Sequence, residues 1–280
     1  MFVTDPVTPR VAATLILARD GADGLELFMV VRHHEIEFAS GALVFPGGSA
    51  DPADADPRWR QLTDGTEGIG DEMLTVIAAA AREAFEECGV LYARTASGGP
   101  LIGGARVAAL GATYRQAIEA GEIAFAEMIA QENLVAAFDQ LVHFAHWITP
   151  PHMPKRFDTH FFLAAAPPDH ILSHDGRESV DSIWVTPRDA CVDADAGRRT
   201  VLFPTRLNLE KVGRHRTVAE ALAAARAAPI VTVRPESSAA ENGRLLRIPI
   251  EAGYGAAEFL VTGGAGKNVR IQPLGASKLS

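Results

Sequence analysis

Residues 81 to 90 read AREAFEECGV and place Arg82, Glu83, Glu86 and Glu87 within six consecutive positions. On a helix with Glu83 at 0° and 100° per residue, Glu87 falls at about 40° and Glu86 at about 300°. The three carboxylates therefore share one narrow face. Like charges at these spacings repel by a few tenths of a kcal/mol per pair, roughly. A hard cation would relieve that repulsion, and clustered carboxylate oxygens suit Mg²⁺ or Mn²⁺. Arg82, at the edge of the patch, is placed to hold a carboxylate in one rotamer. The alternative is a solvated acidic face steadied by an Arg82–Glu86 pair.

A helix must position this face, and the flanking residues supply one. Leu74, Ile77, Ala81, Phe85 and Cys88 fall on the opposite side, so the helix anchors to a core through them. The pattern runs from Asp71 to about Tyr92, with Gly89 suited to a C-terminal cap. Cys88 lies on the apolar face and is expected as a buried thiol. Upstream, VAATLILA (11–18) and LELFMVVR (25–32) read as strands around a Gly21–Gly24 turn. GALVFPGG (41–48) is a short strand entering a glycine turn, which is where backbone can approach a ligand closely. Residues 50–70 are rich in Asp and Pro and read as a long surface loop.

Further on, 110–145 is an Ala-rich block expected to form two or three helices. HWITP, RFDTHFFLAAAP and VDSIWVT read as strands, and 209–228 as helical segments. The last fifty residues alternate short strands with Gly and Pro. This order predicts an α/β (α+β) fold with a mixed sheet sandwiched between helices. The expected organisation is a single domain over 1–280. It carries a loop insertion at 49–70, a helical insertion at about 98–145 and a C-terminal extension at about 205–280.

REAFEECGV runs in register with the pattern R-E-U-x-E-E-x-G-U, with Val90 at the final bulky apolar U position, and FPGG precedes it. This resembles the signature of the Nudix hydrolases, which cleave a diphosphate linked to another moiety. The signature's earlier glutamate is missing: eight positions before Arg82 stands Leu74. Gly48 lies 34 residues before Arg82, a wider interval than the signature has, so 49–70 reads as an insertion within it. Glu67, Asp71 and Glu72 are candidates to replace the missing acid. The split signature, the helical block, WITP and RFDTHFFLA together resemble the branch of peroxisomal coenzyme A and acyl-coenzyme A diphosphatases and their bacterial relatives.

The resemblance implies a Mg²⁺- or Mn²⁺-dependent diphosphatase. Glu83, Glu86 and Glu87 would be metal ligands, with the Gly48 carbonyl completing the set. Glu178, ahead of a strand, is the chosen general base. Arg32, Lys155 and Arg156 are the candidates to meet substrate phosphates; a solvated turn is the competing reading for the last two. Phe125, Met128, Phe138 and Phe144 would wall a pantetheine channel, or else form the block's own core. Trp147 and Trp184 are expected in the core or a pocket wall. The partner is then a small-molecule nucleoside diphosphate, with room for a homodimer. ADP-ribose, a dinucleotide or a nucleotide sugar are rival substrates. A noncatalytic ligand-binding module is the rival class, disfavoured because the glutamates are retained.

Charge and composition narrow the remainder. A net charge of −9 with no basic stripe argues against nucleic acid. No apolar window is long enough for a membrane span, and the N-terminus lacks the pattern of a secretory leader. Two cysteines fit a reducing compartment. Ser280 follows Ser-Lys-Leu, so a peroxisomal address is not terminal and a cytoplasmic location is expected. GGAGKN (263–268) fails as a phosphate loop, since Val261 holds the first glycine position and Asn268 the last. His33 and His34 are candidates for phosphate or base contact, against a plainer role as strand-end polar residues.

Overall fold

The computed structural model describes residues 7–32, 41–170, 172, 179–264 and 267–275. In chain order the elements begin β1 (Arg10–Gly21), β2 (Gly24–Arg32), β3 (Leu43–Val44), β4 (Gly47–Ser49), α1 (Trp59–Leu62) and α2 (Asp71–Cys88). Then come β5 (Ala93–Arg94), α3 (Gly104–Glu119), α4 (Phe125–Gln131), β6 (Val135–Ala136), β7 (Val142–Ile148) and β8 (Phe157–Ala165). β9 (Ser179–Val185), α5 (Pro187–Asp195), α6 (Phe203–Val212) and α7 (Val218–Ala227) follow. The chain finishes with β10 (Thr232–Val233), β11 (Glu236–Ala240), β12 (Gly243–Arg247), β13 (Glu258–Gly264) and β14 (Lys267–Leu274).

The main sheet runs β10-β7-β8-β1-β2-β3, with β4 also paired to β1 and β9 to β2. β1 is parallel to β8 and antiparallel to β2, so the sheet is mixed, as the element order predicts. β1 alternates its side chains between two cores. Ala13, Leu15 and Leu17 pack with α2, α3 and α4; Ile16 and Ala18 pack with α5, α6 and α7. Helices thus cover both faces. β11 to β14 form a separate antiparallel sheet, joined to the second core through Phe259 and Ile271.

The long strand β1 creates the opening for the site. Its C-terminal half, Ala18 to Gly21, pairs with β2, while Ala12 to Thr14 pairs with β4. One edge is therefore shared between two strands, and β4 enters with Gly47 and Gly48. Gly47 has φ of 151°, and a Cβ there would lie 2.3 Å from the Ala13 carbonyl oxygen. Only glycine lets the chain cross β1 this closely.

Two expectations are corrected. Residues 50–70 are not a loose surface loop. They contain a 3-10 turn at Pro52–Ala55 and the short helix α1, and Trp59 is 1% exposed. Its ring packs against Phe125 and Phe138 at 5.7 and 5.2 Å, and its Nε1 donates to the Asp54 carbonyl. Turn-forming composition concealed one aromatic anchor. Trp59→Phe should therefore lower stability by about 2 kcal/mol, from lost volume and an orphaned carbonyl, as read by urea denaturation. Second, the block 110–145 is α-helical only through Gln131; beyond it Phe138–Gln140 is a 3-10 turn, and Val135–Ala136 and Val142 onward are strand. Ala-rich composition masked the β-branched and aromatic start of β7.

Candidate functional site

α2 ends as its sequence predicts. Gly89 takes φ 69°, its N–H donates to the Phe85 carbonyl, and the Val90 N–H reaches the Ala84 carbonyl. Leu74, Ile77, Ala81, Phe85 and Cys88 are all buried, so the apolar face sets the helix rotation. The opposite side then meets β4. Glu87, only 8% exposed, accepts a hydrogen bond from the Gly47 N–H at 2.9 Å. Glu83 lies against Gly48 so closely that a Cβ there would fall 2.4 Å from Oε1.

Arg82 ties this corner together. Its Nη1 donates to Glu83 at 3.0 Å and to Glu86 at 2.8 Å. Nε and Nη2 donate to the Asp54 carboxylate at 2.9 and 3.0 Å, and Nη2 also reaches the Ser49 carbonyl. Burial works against the guanidinium charge, but Asp54, Glu83 and Glu86 outweigh it and hold its pKa above the ordinary value. Burial raises the pKa of Glu86, against the opposing pull of Arg82. Arg115 of α3 donates to the Glu86 carbonyl.

The structure thus brings Gly48, Arg82, Glu83, Glu86 and Glu87 to one place. The residues fit a hard divalent cation: the side-chain donors are carboxylate oxygens, and the Glu83 carboxylate packs directly on the Gly48 backbone, where a Cβ would collide with it. Sequence reasoning missed Asp54, the buried partner of Arg82. It belongs to the inserted segment, and its signal was the Asp51-Pro-Ala-Asp54 capping box.

The other candidates separate. Arg156 is buried, and its guanidinium is occupied by the backbone carbonyls of Thr149 (3.1 Å) and Val7 (2.5 Å). These bonds clamp the start of β8. Lys155 is exposed on the turn before β8. Phe125, Met128 and Phe138 are packed into the α2 core and Phe144 into the second core, so none walls a channel. Trp147 is buried, with its Nε1 donating to Tyr254. Trp184 is half-buried, edge-on to Phe28 and beneath the Arg19 guanidinium. The Cys88 side chain is buried, as its place on the apolar helix face predicts. Glu178, His33, His34 and the Arg32 side chain lie outside the described residues.

A family model, the NUDT19 Nudix domain, matches residues 64–204, half of the chain. The chain belongs to this Nudix family. It is 26% identical over 193 residues to putative nudix hydrolase 7 of Caenorhabditis elegans, covering 68% of this chain and 55% of that protein. It is 27% identical over 208 residues to the human acyl-coenzyme A diphosphatase NUDT19, covering 60% of this chain and 55% of that protein. It thus spans about half the length of these curated relatives. Among solved structures, a NUDIX hydrolase from Alicyclobacillus acidocaldarius superposes with a TM-score of 0.62 at 26% identity. That match covers 78% of this chain and 96% of that one. The Nudix family assignment and the mixed sheet between helices agree with the reading of the sequence.

Proposed function

We propose that this protein is a Mg²⁺- or Mn²⁺-dependent diphosphatase that cleaves coenzyme A or an acyl-coenzyme A, giving 3′,5′-ADP and (acyl-)phosphopantetheine. The observation that carries the chemistry is the meeting of Glu83 and Glu87 with the Gly47–Gly48 turn, with Glu86 joined to Glu83 through Arg82. The substrate class is supported by the likeness to the human acyl-coenzyme A diphosphatase. Glu83, Glu86 and Glu87 would hold the cation, with the backbone of Gly48 beside them. When bound, such an ion neutralises phosphate oxygens and acidifies water.

This chain's residues supply the positioning. Arg82 holds Glu83 and Glu86 in fixed rotamers, and the Gly47 N–H orients Glu87. Water attacks one phosphorus, the P–O bond to the bridging oxygen breaks, and the leaving phosphate takes that oxygen. The proton of the attacking water goes to a general base, for which Glu178 is proposed.

The test is turnover of coenzyme A, acetyl-coenzyme A, dephospho-coenzyme A and ADP-ribose, with products identified by mass spectrometry. Stripping divalent ions with EDTA should abolish turnover, and Mg²⁺ or Mn²⁺ should restore it. A coenzyme A ester should show the highest kcat/KM. A higher value for ADP-ribose would overturn the substrate assignment and leave the chemistry standing. No turnover of any diphosphate would overturn the enzymatic reading.

A further inference from the structure

A second group of metal-ligating side chains lies across the sheet from the glutamates. The register places Gly48, Ala13, His160, His146 and Thr232 in one row, through β4, β1, β8, β7 and β10. His160 is two strands from Gly48, roughly 10 Å at ordinary strand spacing. The row faces the α2 side: Ala13 and Phe162 belong to the α2 core, and His143 stacks on Phe162 at 5.2 Å.

His146, Asp158 and His160 offer ligand atoms that all lie within 4.8 Å of one another. Asp158 Oδ1 stands in short contact with His146 Nε2 and 3.8 Å from His160 Nε2. The other nitrogen of each ring is already held. Thr232 Oγ1 lies 2.8 Å from His146 Nδ1, and His143 Nε2 lies 3.1 Å from His160 Nδ1. Outer partners of this kind fix ring orientation and tautomer in metal sites. All three candidate ligands are half-buried, so an ion can reach them. Thr232 also lines an open groove of about 600 Å³ with Pro150, His152, Arg234 and Glu236.

We infer that His146, Asp158 and His160 form a binding site for a divalent first-row transition ion, separate from the glutamate corner. Two imidazoles and one carboxylate suit zinc, cobalt, nickel, manganese or iron(II) better than they suit Mg²⁺, which prefers oxygen ligands. The carboxylate between the two Nε2 atoms argues against a phosphate at this place. Binding draws both rings onto one ion, so they must open from their present stack, with centroids 4.0 Å apart and planes 12° apart. Three protein ligands leave coordination positions for water or a ligand oxygen.

The experiment is direct titration of the chelator-stripped full chain with Zn²⁺ against a chromophoric chelator, and with Co²⁺ followed by visible absorption. Glu83→Gln/Glu87→Gln removes the oxygen-rich site and should leave one Zn²⁺ bound per chain at unchanged affinity. Its Co²⁺ spectrum should show the intense bands of a low-coordinate nitrogen-ligated ion. Asp158→Asn and His146→Ala/His160→Ala should weaken Zn²⁺ by about tenfold or more and remove those bands. Should the histidine variant fail to fold, imidazole resonances of the Glu83→Gln/Glu87→Gln protein decide. Zn²⁺ must shift two or more histidine rings, and Mg²⁺ must shift none. Unmoved rings, or Zn²⁺ affinity lost with the glutamates and kept without the histidines, overturn the site.

Discussion

Glu87→Gln should lower kcat by about 100-fold or more while the protein stays folded. Even outer partners of a metal site are worth roughly 10–100-fold, and a direct carboxylate ligand should not be worth less. The substitution keeps an oxygen that can still accept from the Gly47 N–H, now 2.9 Å from Oε2, so β4 should stay docked. What disappears is one negative charge at nearly constant volume. Glu86→Gln should cost as much or less, because Glu86 is already paired to Arg82 at 2.8 Å. The measurement is kcat at saturating Mg²⁺, with Tm recorded on the same samples. Undiminished turnover by the Glu87 variant would remove that residue from the catalytic set.

The glutamate face was legible because helical periodicity is local. Phe85, Cys88 and Gly89 alone establish which side of α2 faces the core and where the helix stops. The approach of Gly48 was legible only through the resemblance, since Gly48 lies 34 positions before Arg82 and spacing cannot close that gap. Asp54 was hidden for the same reason. A polar segment gives no periodic signal, and its buried side depends on Trp59 reaching Phe125 and Phe138. Arg156 shows the opposite case. Its charge suggested a phosphate, yet its partners are two backbone carbonyls that no sequence pattern displays. The histidine cluster needed strand register: Asp158 and His160 share a face by alternation, but their meeting with His146 is set by the pairing of β7 with β8.

Arg82→Ala should destabilise the protein by about 3–5 kcal/mol, the usual range when one partner of a buried ion pair is removed. Three carboxylates converge on this guanidinium, and Asp54, at 1% exposure, is withdrawn from water. Without Arg82, the Asp54 carboxylate would keep only the Asp51 N–H among the donors now seen at it. The loss should fall first on the 3-10 turn and its link to α2, so residues 51–59 should lose hydrogen-exchange protection before the sheet does. Arg82→Lys should lie between the two, because an ammonium cannot reach Asp54, Glu86 and the Ser49 carbonyl in one fork. A double-mutant cycle gives the sharper test. Asp54→Asn in the Arg82→Ala background removes the stranded charge and keeps an acceptor for Asp51, so it should recover a substantial part of the loss. If the two substitutions simply add, the pair is not coupled in solution, and Arg82 would have to act through Glu83 and Glu86 alone.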